Sequence, residues 1–264
     1  MKKCIKILSL TLAAALVLLT FAACSDKETG LDKIKKAGKI IMLTESTFAP
    51  YEYKGDAGKV VGVDVDIANE IAKDLGVTLE IKDIAFNKIV EDLQVGRGDF
   101  GAAGMTITET RKTQVDFSVE YTTSTQFIIV PKGTDTAGFD LEGKTIGVQA
   151  GTTGDLFYAT VGEDNAIGLK QSTVKRYPNA VDAVDNMLLG RVDCVIIDKL
   201  PAESIVASRP DKIVCFDKGY EPEKYAFAVA KDSPELLAEI NKTLNRLLAE
   251  GKVEEYVLNH SKAK

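Results

Sequence analysis

Four clusters of polar residues in this 264-residue chain share one setting, each following directly on a short apolar run. Ile40–Leu43 is followed by Thr44-Glu45-Ser46-Thr47-Phe48-Ala49-Pro50-Tyr51, and the run opening at Phe100 by Gly104-Met105-Thr106-Ile107-Thr108-Glu109-Thr110-Arg111. Ile146–Val148 leads into Gln149-Ala150-Gly151-Thr152-Thr153-Gly154-Asp155, and Cys194–Ile197 into Asp198. Together they hold the parts needed to grip a zwitterion. A carboxylate is matched by a bidentate guanidinium and by donors at a helix start, which Arg111, Thr106, Thr152 and Thr153 can supply. An ammonium is matched by a carboxylate. Asp198 is that group, unless it only caps the helix that follows it. Phe48 and Phe86 offer flat apolar walls for the atoms between.

Such clusters act together only if they lie at the carboxyl ends of neighbouring strands, where open α/β sheets bind ligands. The apolar pattern supports that arrangement. Ile40–Leu43 reads as a buried strand, and Asp64 or Asp66 can cap a helix carrying Ile67, Ala68, Ile71, Ala72 and Leu75. Val77–Ile84 alternates like a strand, and Asn87 can cap a helix with Ile89, Val90 and Leu93. The pattern restarts after residue 125. Gln126–Val130 and Lys144–Val148 read as strands, a helix is expected over about 154–161, and Asn179 can cap another. Strands alternating with amphipathic helices predict an α/β fold with mostly parallel sheets.

The two halves echo each other. A helix, then Gly96-Arg97-Gly98-Asp99, then an apolar strand occurs in the first; a helix, then Gly190-Arg191-Val192-Asp193, then an apolar strand in the second. Two similar lobes therefore account for the chain better than one long sheet. Asp99 and Asp193 read as structural residues at strand entry. Ala226–Ala230 is one more strand, followed by helices with Leu236, Leu237, Ile240, Leu244, Leu247, Leu248, Val253, Tyr256 and Val257. That hairpin has no core of its own and must pack on a lobe.

Composition excludes other classes. The chain carries a net charge of −6, lacks Trp and has no basic block, which argues against nucleic-acid binding. With one histidine, His260, and no Cys-x-x-Cys, neither a zinc site of the usual His/Cys kind nor a histidine-based nucleophile system has its parts, and no metal or cofactor is expected. Lys2, Lys3 and Lys6 precede an apolar run over 7–23 that ends in Ala22-Ala23-Cys24, the layout of a secretory signal peptide. Removing residues 1–23 takes away three lysines and no acid, moving the net charge from −6 to −9. An export setting permits a Cys194–Cys215 disulfide, but two buried thiols behaving as small hydrophobes are the preferred reading.

Two resemblances refine this. The Ala22-Ala23-Cys24 junction resembles the lipobox of bacterial lipoproteins, with Phe21 where that motif usually has Leu. It implies lipidation of Cys24 and anchoring to the outer face of the bacterial cytoplasmic membrane, with the periplasm as the alternative exported location. Thr47-Phe48-Ala49-Pro50-Tyr51-Glu52-Tyr53, Val61-Gly62-Val63-Asp64-Val65-Asp66, Gly104 to Lys112, Val115-Asp116-Phe117-Ser118 and Gly143 to Val148 resemble the polar amino-acid-binding proteins of bacterial ABC importers. The likeness runs from about 31 to 260. It implies a type II periplasmic-binding fold, with the chain crossing between lobes twice through a double hinge. The expected boundaries are a leader at 1–23, a tether and first helix at 24–36, lobe 1 at 37–125 and 226–264, and lobe 2 at 126–225.

Carried onto this chain, the resemblance implies a carboxylate clamp of Arg111, Thr106 and Thr153, with Thr152 and Met105 in the same loops. It implies an ammonium site of Asp198 and the Gly104 carbonyl, an aromatic sandwich of Phe48 and Phe86, and side-chain contacts from Glu45 and Gln149. The expected partners are a free polar L-amino acid, with a lean toward Arg, Lys or Gln, and an ABC importer permease. The chain itself is expected to be a monomer and not an enzyme. Two rivals use the same fold: a sensor ectodomain, and an enzyme resembling cyclohexadienyl dehydratase with Glu45 as its acid.

Overall fold

A computed structural model describes residues 30–158 and 171–262. The leader, Cys24 and most of the tether lie outside the described residues, as does the end of the helix expected over 154–161.

The first half opens with α1 (Gly30–Ala37), β1 (Lys39–Thr44), β2 (Thr47–Phe48), β3 (Glu52–Lys54), β4 (Val60–Val61), α2 (Val63–Leu75) and β5 (Thr78–Asp83). It continues through α3 (Ile89–Gln94), β6 (Phe100–Gly101), α4 (Glu109–Lys112), β7 (Val115–Phe117) and β8 (Thr122–Ser124). The second half holds β9 (Gln126–Pro131), β10 (Thr145–Gln149), β11 (Thr173–Tyr177), α5 (Ala180–Leu188), β12 (Cys194–Asp198), α6 (Lys199–Ala207) and β13 (Ile213–Asp217). β14 (Glu223–Tyr225), β15 (Ala228–Ala230), α7 (Pro234–Ala249) and α8 (Lys252–Lys262) complete the chain.

Two five-stranded sheets result, ordered β5-β1-β6-β15-β7 and β11-β10-β12-β9-β13. In the first, β1 pairs parallel with β5 and β6; in the second, β10 pairs parallel with β11 and β12. Each sheet then accepts an antiparallel strand beside its third parallel one: β15 in the first, β9 in the second. In both cases this is the first strand laid down after the chain crosses from the other lobe. The crossings themselves, β8 and β14, pair antiparallel with each other and form the hinge. The fold is therefore α/β and two-lobed with a double crossover, as the resemblance implied.

The repeated Gly-Arg-x-Asp segments do the same job in each lobe. Asp99 accepts the Ile41 N–H at 2.7 Å and donates its own N–H to the Ile41 carbonyl at 2.9 Å. Asp193 treats Thr145 identically, at 2.7 Å in both directions. Lys82 and Lys175 donate to the Arg97 and Arg191 carbonyls at 2.7 and 2.8 Å. These acids tie the start of the third parallel strand to the first and are structural.

The C-terminal hairpin packs as its composition requires. Leu236, Ile240, Leu244, Leu247 and Val253 join Ile40, Met42, Ile67, Ile71 and Phe227 in one core. Arg246 clamps it to α2 with 2.9 Å contacts to Glu70 and Asp74.

Two local expectations change, and two hold. α2 is capped by Gly62, and Asp64 turns inward from its first turn, where it is fully buried. Asn87 lies inside a 3-10 turn, Phe86–Lys88, and does not cap α3. Cys194 and Cys215 are free thiols, and burial pushes that of Cys194 up to about 12. Asn179 does cap α5, accepting the Asp182 N–H at 2.8 Å.

Candidate functional site

The carboxyl ends of β1, β6, β10 and β12 meet at an enclosed pocket between the lobes. Its walls are Glu45, Phe48, Glu52, Phe86, Ala103 and Gly104 with Thr106 and Arg111 from lobe 1, and Gln149, Thr152, Thr153 and Asp198 from lobe 2. Met105 is the one expected residue that is not on the wall. Its side chain is 1% exposed and packs with Leu43, Phe86, Ile89 and Leu93 in a lobe-1 core, because residues alternate faces as the chain leaves β6.

Arg111 sits in a short helix whose cap is Thr108, which accepts the Arg111 N–H at 3.1 Å. One guanidinium nitrogen donates to the Thr106 carbonyl at 2.6 Å, and another crosses the cleft to the Gly151 carbonyl at 2.9 Å. The cation lies 5.2 Å from the centre of the Phe86 ring. Burial lowers its pKa to about 10, which leaves it charged at neutral pH. It is a fixed cation at one end of the pocket.

Glu45 marks another side. Both of its oxygens accept from the Thr47 hydroxyl, at 3.0 and 2.9 Å, and Gln149 Nε2 reaches Oε2 across the cleft at 3.1 Å. Burial raises its pKa, and the Thr47 and Gln149 bonds partly offset that. Asp198 ends β12 and precedes α6, yet its side chain makes no cap bond; Oδ1 is buried without a hydrogen-bond partner. Desolvation, followed by the nearby Glu223, raises its pKa. A buried, unmatched carboxylate oxygen on a pocket wall is a site for a cationic donor.

Glu52 was not among the residues singled out from the sequence. It is fully buried, on the wall, and its carboxyl adjoins that of Asp64. Its signal was available in the β2–β3 hairpin: Phe48 pairs directly with Glu52, and opposed residues point to the same face. Behind it Asp64 accepts the Tyr121 hydroxyl at 2.6 Å and the Gly104 N–H at 3.0 Å. Two adjoining carboxyls in a dry site cannot both ionise cheaply. Burial pushes Asp64 up to about 6, and burial with the Asp64 charge pushes Glu52 well above the carboxylate range, so Glu52 holds the proton.

Gly104 has φ +50°, and a Cβ there would lie 2.6 Å from the Phe48 ring. Glycine lets the loop press against the aromatic wall while Asp64 fixes its peptide plane. Gly151, at φ +80°, is the matching close approach across the cleft: a Cβ would stand 2.8 Å from that of Asn87.

A two-lobed protein that encloses a pocket with a fixed cation, an unmatched carboxylate and aromatic walls is a binding protein for small zwitterions. The chain belongs to the bacterial extracellular solute-binding proteins, family 3, whose pattern matches residues 40–261. It is 33% identical over 248 residues to the arginine-binding extracellular protein ArtP of Bacillus subtilis (strain 168), covering 93% of this chain and 94% of that one. It is 27% identical to the L-cystine-binding protein TcyJ of Escherichia coli (strain K12), with 93% and 89% covered. Among solved structures, an ancestral arginine-binding protein bound to arginine superposes with a TM-score of 0.77 at 39% identity, covering 84% of this chain and 98% of that one. The protein is thus an extracellular amino-acid-binding component of an ABC transporter.

Proposed function

We propose that this receptor captures a cationic L-amino acid, arginine before lysine, by closing its lobes, and hands it to an import permease as a lipid-anchored monomer held at Cys24. The observation that carries the ligand assignment is the charge of the pocket wall. With Glu52 protonated, the charged groups on the wall among the described residues are Glu45 and Asp198 against one cation, Arg111. A ligand with one carboxylate and two cationic groups balances that excess; an acidic ligand would add like charge to a dry site, at a cost of several kcal/mol. Glu45, steadied by Thr47 and Gln149, suits the distal guanidinium, and Asp198 with the Gly104 carbonyl suits the ammonium. Arg111 and the threonine loops suit the α-carboxylate. This distribution of roles also favours a receptor over an elimination enzyme, because Glu45, Gln149, Arg111 and Asp198 each have a task in holding the amino acid.

Thermal melts of protein unfolded and refolded to strip carried-over ligand, run against the twenty amino acids, cystine and ornithine, test this. A ligand at about 1,000 times its dissociation constant stabilises by about 4 kcal/mol, a shift of many degrees. Arginine or lysine should shift most, and Glu45→Gln should cut the arginine affinity by roughly tenfold or more while leaving glutamine nearly unchanged. A panel in which cystine or a neutral amino acid shifts most overturns the cationic assignment.

A further inference from the structure

Glu223 stands outside the pocket wall, yet it touches the anion-binding loops of both lobes. Its Oε2 accepts the Thr106 hydroxyl at 2.7 Å and the Thr153 hydroxyl at 2.5 Å. Thr106 follows β6 in lobe 1, Thr153 follows β10 in lobe 2, and Glu223 opens hinge strand β14. One oxygen atom therefore ties together the two lobes and the hinge between them. Both threonines line the inner pocket on one side and, on the other, an outer groove that contains Glu223.

A hydroxyl has one proton to give. With both protons directed at Glu223, a ligand carboxylate seated in the pocket rests on the Arg111 guanidinium and on backbone N–H groups. The two threonines then serve as struts between the lobes. Lobe opening carries Thr153 away from Thr106, so the shared acceptor can bridge them only while the lobes meet. The hinge position matters for the same reason: β14 is held to lobe 1 by the Ile107 N–H on the Lys224 carbonyl, 2.9 Å, and so presents Glu223 at a fixed height.

We propose that Glu223 is a positioning residue for affinity, an interlobe latch that stabilises the closed form and sets how slowly the amino acid leaves. The proposal rests on the amino-acid-binding reading above. It assigns Glu223 no contact with the ligand; it acts through Thr106 and Thr153.

The test is the release rate of radiolabelled L-arginine from the full chain, or of whichever amino acid the thermal panel identifies, with association measured alongside. Glu223→Ala removes the bridge, and Glu223→Asp shortens it so that one carboxylate oxygen no longer reaches both hydroxyls. Each should speed release by roughly tenfold or more with association changed less than about twofold. Glu223→Gln keeps an oxygen acceptor of the same length and should stay within about threefold of wild type. Should the alanine chain fail to fold, the aspartate chain still decides the matter. Release at the wild-type rate from both variants overturns the latch. Slower release also overturns it, because Glu223 would then be competing with the ligand for the hydroxyls. A wild-type chain that binds no amino acid at all sinks the underlying reading, a failure distinct from unchanged kinetics in a chain that binds.

Discussion

Arg111 combines four constraints in one side chain: burial, a carbonyl within its own loop, a carbonyl across the cleft and an aromatic face beneath it. Lysine cannot meet them together, since a compact ammonium lacks the planar fork that reaches both carbonyls while lying flat over a ring. Arg111→Lys should therefore weaken ligand binding by roughly a hundredfold in calorimetric titration while the ligand-free melting temperature moves little. Equal affinity in the lysine variant would remove Arg111 from the proposed clamp. At the same scale, Asp198 does not cap α6, and its ligand role is the one proposed above. The side chain makes no bond to the start of α6, and Oδ1 is left open on the pocket wall. The sequence placed it between a strand and a helix, and that position is compatible with either role.

At the scale of elements, the pocket depends on parallel strands beginning in register. Asp99 and Asp193 hold that register by closing a two-way link to Ile41 and Thr145. Replacing Asp99 by Ala leaves the Ile41 N–H without its acceptor, and the expected loss is about 1–2 kcal/mol of stability in denaturant unfolding. Ligand affinity should stay within about threefold, because Asp99 lies at the opposite end of the sheet from the pocket. A large affinity loss without a stability loss would show that the acid has a part in binding. These turns were legible as a repeat because helix end, glycine and acid recur at fixed spacing. The inward turn of Asp64 was not, since an acid in a first helical turn favours the helix whether it faces solvent or core.

Across the whole molecule, Glu45, Glu52, Asp64 and Asp198 all have raised pKa values with burial as the leading cause. At these four carboxyls the folded chain thus binds protons more tightly than the unfolded one. Stability from these groups is fully present below their unfolded values, near about 4, and is lost as pH rises through the folded values, about 6 for Asp64. Without ligand, the melting temperature should fall by a few degrees between about pH 5 and pH 8, a shift corresponding to about 1 kcal/mol at this chain length. A cationic amino acid favours the charged carboxylates, so its stabilising effect should grow over the same range and its binding should release protons. Melts with and without arginine across that range, with titrations in buffers of different ionisation heat, read both. A ligand effect that shrinks as pH rises would contradict the acidic wall.

What the sequence by itself determined is the set of local and periodic features: two α/β halves, a coreless tail that had to dock, and the polar clusters following the parallel strands. Those follow from side-chain periodicity and from residue chemistry, which are properties of neighbours along the chain. Ten of the eleven residues expected at the site share one pocket because β1, β6, β10 and β12 deliver their ends to the same place. Tertiary structure decided the rest. It turned Met105 into the core, set Glu52 on the wall opposite Phe48, backed it with Asp64, and joined Thr106 to Thr153 through Glu223. The Phe48–Glu52 pair and the turn of Met105 are local, but the Asp64 backing and the Thr106–Glu223–Thr153 link depend on distant segments meeting, and all depend on burial that only the assembled lobes create. Neither distance nor desolvation is written in the order of the residues.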